Sequence, residues 1–209
     1  MTSTSTVDYQ RTDGRTLRLT FSAPDGALRG GLVVLHEADG VTDGVKMLLA
    51  SLALEGWLTV TPHLENAELT QQDLLDATDV TLAWLVERGV QGDLLGVMGF
   101  DLGGTAALVV ASHRRLGAAV SVGGQQTAEL PALVEIAGKL TSPWLGMYGD
   151  AGDEAGGAEV ERLRDAAASA KVATNVVHYP GANHRFDADP GAAAEAWQRT
   201  LNWFDAHLR

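Results

Sequence analysis

The stretch "LLGVMGFDLGGTAALVVASH", residues 94–113, decides the fold. One apolar run ends at Gly99-Phe100-Asp101-Leu102-Gly103-Gly104, and a second follows. The first run, "LLGVMGF", is apolar without alternation, as expected of a strand buried on both faces. The second, "LGGTAALVVASH", reads as the helix that follows it. A turn that leaves a strand and opens a helix presents one side chain at its apex and needs small neighbours. Gly99 and Gly103 meet that need, and Gly104 adds clearance. The apex residue usually has positive φ, which aspartate tolerates better than most residues. The next amide, Leu102 N–H, would point at a developing oxyanion. Asp101 also has a plainer reading, because aspartate is a preferred N-cap and stands directly before the helix.

On either side of this unit the chain keeps the same rhythm. "TLRLTFSAP" alternates as a strand, and "GGLVVLHE" is a short buried one. "DGVKMLLASLALEGW" is helical, and "WLTVTPHL" is the next strand. In "TQQDLLDATDVTLAWLVERG", Leu74, Thr78, Leu82 and Leu85 share one helical face, with Asp73, Asp76 and Asp79 pointing away. Thr70 with Asp73 resembles a capping box. The strands "LGAAVSVGG", "PWLGMYG" and "TNVVHYP" alternate with helices around "ALVEIAGKL" and "AEVERLRDAAASAK". Pro190 suits the first turn of a final helix whose apolar stripe is Trp197, Leu201 and Phe204. Trp57, Trp84 and Trp144, with Trp197 and Trp203, read mostly as core. Strand and helix alternate from residue 30 onward, which predicts a doubly wound α/β domain with a mostly parallel sheet.

A chain of 209 residues suits one domain with a full core. Residues 1–14 are read as a flexible N-terminus and 15–209 as a single domain. The formal charge of −12 leaves no basic patch for nucleic acid and disfavours an anionic membrane surface. Cysteine is absent, which excludes disulfides and thiolate metal sites. No apolar signal core opens the chain and no run reaches membrane-spanning length, so a cytoplasmic protein is expected. No cofactor or metal is expected: His36 and His63 read as structural or pocket-lining, and "GVMGFDLGG" lacks the phosphate-loop lysine. The expected partner is a small-molecule substrate, bound by a monomer or small homo-oligomer.

Sites in doubly wound folds lie at the carboxyl ends of the strands. The residues there are Glu37, His63, Asp101, Gly123, Asp150 to Asp153, and His184. His184 sits in "YPGANHRFD" after the last strand, where a catalytic base would stand. Asp150 and Asp153, in the acidic loop "MYGDAGDEAGG", are the candidate acids, with a solvated turn as the plainer reading. The order apex residue, acid, histidine matches α/β-hydrolases.

On these residues the chain resembles the dienelactone hydrolase family of the α/β-hydrolase fold, across roughly residues 15 to 208. The matching stretches are "VVLHEADGV", "LALEGWLTVTPHL", "GVMGFDLGGTAALVVAS", "WLGMYGDAGD" and "VVHYPGANHRF". The resemblance implies an elbow at Gly99-Phe100-Asp101-Leu102-Gly103-Gly104, where the family reads G-[FY]-C-x-G-G. It implies His184 as catalytic histidine, Glu37 as the carboxylate that contacts the resting nucleophile, and Ala38 with Leu102 as oxyanion-hole amides. It implies a hydrolase of a small ester, lactone or related electrophile, with no large cap domain.

The chain departs from that pattern at points that bear on chemistry. Asp101 replaces cysteine. The family's acid slot falls on Gly152, between Asp150 and Asp153. No arginine occurs between Arg29 and Arg88, and the position four residues after His184 is Ala188. The arginines with which the best-known members hold a substrate carboxylate are therefore missing from their places, which argues against an anionic dienelactone. A carboxylate nucleophile needs no activating base, and could displace halide or open an epoxide as in dehalogenases and epoxide hydrolases of this fold. Against an ester it would form an anhydride that mostly reverts, whereas His184 acting on water directly avoids that trap. Two carboxylates close together, Asp101 and Glu37, raise one pKa. That favours an acid/base pair or a silent, ligand-binding descendant of an enzyme.

Overall fold

The computed structural model describes residues 3–10, 14, 16–37, 39–64, 70–124, 129–150, 152, 154–183, 186 and 188–208. One sheet of eight strands runs through it. The strands are β1 (Thr4–Gln10), β2 (Thr16–Ser22), β3 (Gly30–Leu35), β4 (Trp57–Pro62), β5 (Leu95–Phe100), β6 (Ala118–Val122), β7 (Trp144–Gly149) and β8 (Thr174–Tyr179). Their order across the sheet is β1-β2-β4-β3-β5-β6-β7-β8. β1 pairs antiparallel with β2, and β2 with β4; every other pairing is parallel. This is the predicted α/β architecture. β3, β4 and β6 are buried along their whole length, which is why they read as unbroken apolar runs.

The helices cover both faces. They are α1 (Asp43–Leu54), α2 (Gln71–Glu87), α3 (Leu102–His113), α4 (Leu133–Ala137), α5 (Glu154–Ala168) and α6 (Pro190–His207). α1 and α6 pack one side of the sheet through Leu49, Leu52, Ala196 and Phe204, together with Trp57. α2 to α5 pack the other through Leu74, Trp84, Leu108, Ile136 and Leu163. Trp57, Trp84 and Trp144 are at most 1% exposed. Each contributes on the order of 2–3 kcal/mol of apolar burial. Trp197 and Trp203 pack against the core while only partly buried.

α2 forms as its sequence predicts. Thr70 Oγ1 accepts from the Asp73 amide at 3.2 Å, and Leu74, Thr78, Leu82 and Leu85 are buried. α3 shows no stripe because Gly103 to Ala111 are buried all round, as in a helix at the centre of a layer. α6 begins at Pro190, with Asp189 Oδ1 accepting from the Gly191 and Ala192 amides.

Residues 4–10, read from sequence as part of a flexible N-terminus, form β1 in register with β2 from Thr4↔Ser22 to Gln10↔Thr16. β1 has no fully buried position; Val7 and Tyr9 pack against the core from its edge. A strand with so little apolar burial leaves no apolar run to read.

After β3 the chain crosses through α1 to β4 on one flank, then through α2 to β5 on the other. The connections that leave the carboxyl ends of the paired strands β3 and β5 therefore part to opposite faces, and a crevice opens where the strand order reverses. Among the described residues no helix is long and apolar enough to cross a membrane.

Candidate active site

β5 delivers Asp101 to the rim of that crevice. The Asp101 amide donates to the Val122 carbonyl at 2.9 Å, which ties the turn to β6. Its own carbonyl accepts from the Gly104 and Thr105 amides at 2.9 and 3.1 Å and so starts α3. The backbone stands at φ 52°, ψ −116°. This is a sparsely populated region for a residue with a Cβ, costing about 1–3 kcal/mol. The tight packing explains the glycines. A Cβ on Gly99 would lie 2.0 Å from the Gly103 carbonyl oxygen, one on Gly103 2.1 Å from that of Leu35, and one on Gly104 2.3 Å from that of Gly123. Only this spacing of missing side chains lets the elbow sit between β3 and β6.

Asp101 occupies the N-cap position of α3, yet its side chain makes no capping hydrogen bond, and the residue is 6% exposed. The carboxylate is thus not spent on the role that most simply explains an aspartate there. Leu102, half-buried, is the first residue of α3. Its amide belongs to the first turn, whose N–H groups have no partner within the helix.

Glu37 stands two residues past β3. The parallel register Leu35↔Gly99 places Glu37 and Asp101 at equivalent points beyond neighbouring strand ends. The Glu37 carbonyl accepts from the Gly40 amide at 3.1 Å and bonds His36 Nδ1 at 2.6 Å. His36 Nε2 accepts from the Leu64 amide at 3.2 Å. With that acceptor role fixed, Nδ1 carries the hydrogen, and the ring is a neutral brace between the loop after β3 and the segment after β4. His36 is therefore structural and pocket-lining, as expected. His63 faces the hairpin instead, bonding Thr20 Oγ1 at 2.8 Å.

A cavity of about 260 Å³ opens between β3, α1 and the elbow. Val34, Val45, Leu48 and Phe100 form apolar walls, and Glu37 and Asp39 stand at its polar side. No lysine or arginine lines it among the described residues. Nor does any group of three or more His, Asp or Glu there have the placement to hold a metal ion.

Asp150 follows β7. Its Oδ1 accepts from the Gly152 and Gly181 amides at 2.8 and 2.7 Å, and Oδ2 accepts from His178 Nε2 at 2.8 Å. These amides, the Gly152 one foremost, hold its carboxyl below the usual aspartate range, with His178 adding to them. His178 went unnoticed in the sequence, where it is one polar residue in a strand. The available signal was register: Tyr148 pairs with His178, so Asp150 emerges diagonally beside it.

The loop after β8 is anchored on both described sides. Gly181 is held by Asp150, and Phe186 is 2% exposed with its ring edge-on to Tyr179 at 4.9 Å. Phe186 has φ 61°, the second strained non-glycine residue among those described. His184, Asp153 and Ala38 lie outside the described residues.

Comparison with known proteins places this geometry. Residues 65–208 match the model of the dienelactone hydrolase family. A Salmonella typhimurium protein provisionally named carboxymethylenebutenolidase is 32% identical over 87% of this chain and 78% of its own length. An Escherichia coli protein of the same provisional name is 29% identical over 83% and 75%. A crystal structure from Klebsiella pneumoniae, provisionally named a dienelactone hydrolase, superposes with a TM-score of 0.81 at 27% identity over 97% and 99% of the two chains. The elbow, the crevice beside it and the matched relatives agree: the chain belongs to the dienelactone hydrolase family.

Proposed function

We propose that the protein hydrolyses a small, uncharged ester or lactone, using water activated at Asp101 and His184. The observation that carries this reading is the elbow. A buried aspartate is held at φ 52°, makes no side-chain capping bond, and stands at the N-cap of α3. Residual backbone strain at one buried carboxylate is a feature of working sites. The names of the relatives, carboxymethylenebutenolidase, point to a lactone.

In the proposed reaction Asp101 accepts a hydrogen bond from the water and orients it. His184 takes a proton from that water as its oxygen bonds to the substrate carbonyl carbon. The carbonyl electron pair moves to oxygen, where the Leu102 and Ala38 amides stabilise the charge. Collapse breaks the bond to the alkoxy oxygen, which receives the proton from His184. Asp153 orients the histidine. Water as the nucleophile avoids the anhydride that attack by Asp101 would create. The apolar cavity flanked by Glu37 and Asp39 favours uncharged substrates over anionic ones.

The test is a panel of nitrophenyl esters and small lactones, followed by a single turnover in heavy-oxygen water. The label is expected in the product carboxylate and not in the peptide that contains Asp101. Asp101→Asn and His184→Ala each lower kcat/KM by about 10²–10⁴-fold. Label on Asp101 would replace the water route with a covalent one. No turnover of any ester or lactone, or an unchanged Asp101→Asn variant, would sink the proposal.

A further inference from the structure

We propose that Asp150 is a positioning residue: with His178 it fastens the loop after β8 to the loop after β7, and so sets the place of the segment that leads to His184. The inference rests on the reading of His184 as the proton carrier given above.

The geometry joins three parts of the chain through one carboxylate. Oδ1 takes the Gly152 amide at 2.8 Å, within its own loop, and the Gly181 amide at 2.7 Å, across to the other. Oδ2 takes His178 Nε2 at 2.8 Å from the carboxyl end of β8. A carboxylate oxygen only accepts, so Nε2 carries the hydrogen and the ring is a donor that fixes the plane of the carboxylate. The side chains of Asp150 and His178 are 11% and 19% exposed, so water competes weakly for these bonds. Gly152 and Gly181 have φ near +80°, the left-handed conformation that aims both amides at one oxygen.

A second contact makes the same connection through backbone. A Cβ on Gly149 would lie 2.1 Å from the Ala182 carbonyl oxygen and 2.7 Å from that of Asn183. The residues that precede His184 therefore lie directly on the end of β7. With Phe186 seated against Tyr179 on the far side, the described flanks of the histidine segment are both held. A proton carrier displaced by about 1 Å loses on the order of 10²-fold in rate while substrate binding is little affected.

The experiment separates a fastening from a catalytic charge. Asp150→Ala removes the shared acceptor. Asp150→Asn keeps Oδ1 for both amides, loses the charge, and presents Nδ2–H to His178, which accepts at Nε2 once its ring hydrogen moves to Nδ1. On a neutral nitrophenyl ester, Asp150→Ala is expected to lower kcat about 10- to 100-fold with KM within about threefold. Asp150→Asn should recover kcat to within about threefold of the parent. His178→Leu, which frees Oδ2 but leaves the two amide bonds, should fall between them. Hydrogen exchange at Gly181 is read in parallel. It is expected to be slow in the parent and in Asp150→Asn, and faster by about tenfold or more in Asp150→Ala.

Equal loss in Asp150→Asn and Asp150→Ala would make Asp150 the charged acid and overturn the inference. So would an unchanged Asp150→Ala, or Gly181 exchange that ignores position 150. If the parent turns over no ester or lactone, the functional proposal fails, and the exchange data still decide whether Asp150 fastens the loops.

Discussion

Gly103→Ala puts the elbow's packing to a quantitative test. The added Cβ would stand 2.1 Å from the Leu35 carbonyl oxygen, 2.8 Å from its carbon and 3.1 Å from the His36 carbonyl oxygen. A comfortable contact is near 3.5 Å, so the helix and the strand must part by roughly 1 Å or more. Neither side yields easily. Leu35 is paired with Gly99 of β5, and Gly103 lies in the buried first turn of α3. Overpacking costs about 1–3 kcal/mol, and a backbone-on-backbone clash belongs at the upper end. For a chain of this size each kcal/mol moves the melting temperature by about 2–4 °C, so the midpoint should fall by about 6–12 °C. The control is Gly26→Ala, where a Cβ meets nothing within 4 Å. It should stay within about 1 kcal/mol of the parent. Calorimetry or a circular-dichroism melt reads both. A Gly103→Ala protein melting within about 2 °C of the parent would refute the close approach of α3 to β3.

Two further outcomes follow from individual contacts. Thr70→Ala removes the acceptor for the Asp73 amide and should cost α2 about 1 kcal/mol in a denaturant titration, with Thr70→Ser restoring most of it. Asp150 has a folded-state pKa below its unfolded one, so the unfolded chain binds its proton first on acidification. Its contribution is fully present above the ordinary aspartate pKa and is lost as pH falls through the lowered folded value. The stability gap between the parent and Asp150→Asn should therefore be flat near neutrality and close in acid, and a gap that widens on acidification would contradict the bonding described.

Much of the fold was legible because its signals are local. The elbow reads from the spacing of Gly99, Asp101, Gly103 and Gly104, all within one turn. The stripe and cap of α2 lie on one helix. α5 starts at Glu154, four residues before the sequence pattern begins at Ala158. Gly156 and Gly157 lower helix propensity and mask that start. A Cβ on Gly157 would stand at ordinary contact distance, 3.5 Å, from Asp150 Oδ2 and from His178 Cε1, so the helix lies over that pair. β1 stayed hidden because its strand is held by pairing with β2 and not by burial.

The sequence by itself determined the order of strands and helices from β2 onward, the turn that carries Asp101, and the family that both indicate. Hydrophobic period and turn chemistry act over a few residues and survive without tertiary context. Only the tertiary structure decided what Asp150 does. Its partners His178 and Gly181 are 28 and 31 residues away. They meet it because β7 and β8 pair in the register Tyr148↔His178, and no spacing along the chain encodes that alignment. The same holds for Glu37 and Asp101, which become neighbours through the pairing of β3 with β5. Whether an aspartate caps its helix is likewise settled by side-chain direction: the capping bond that residue type predicts at position 101 is not made, because the backbone at φ 52° belongs to the elbow.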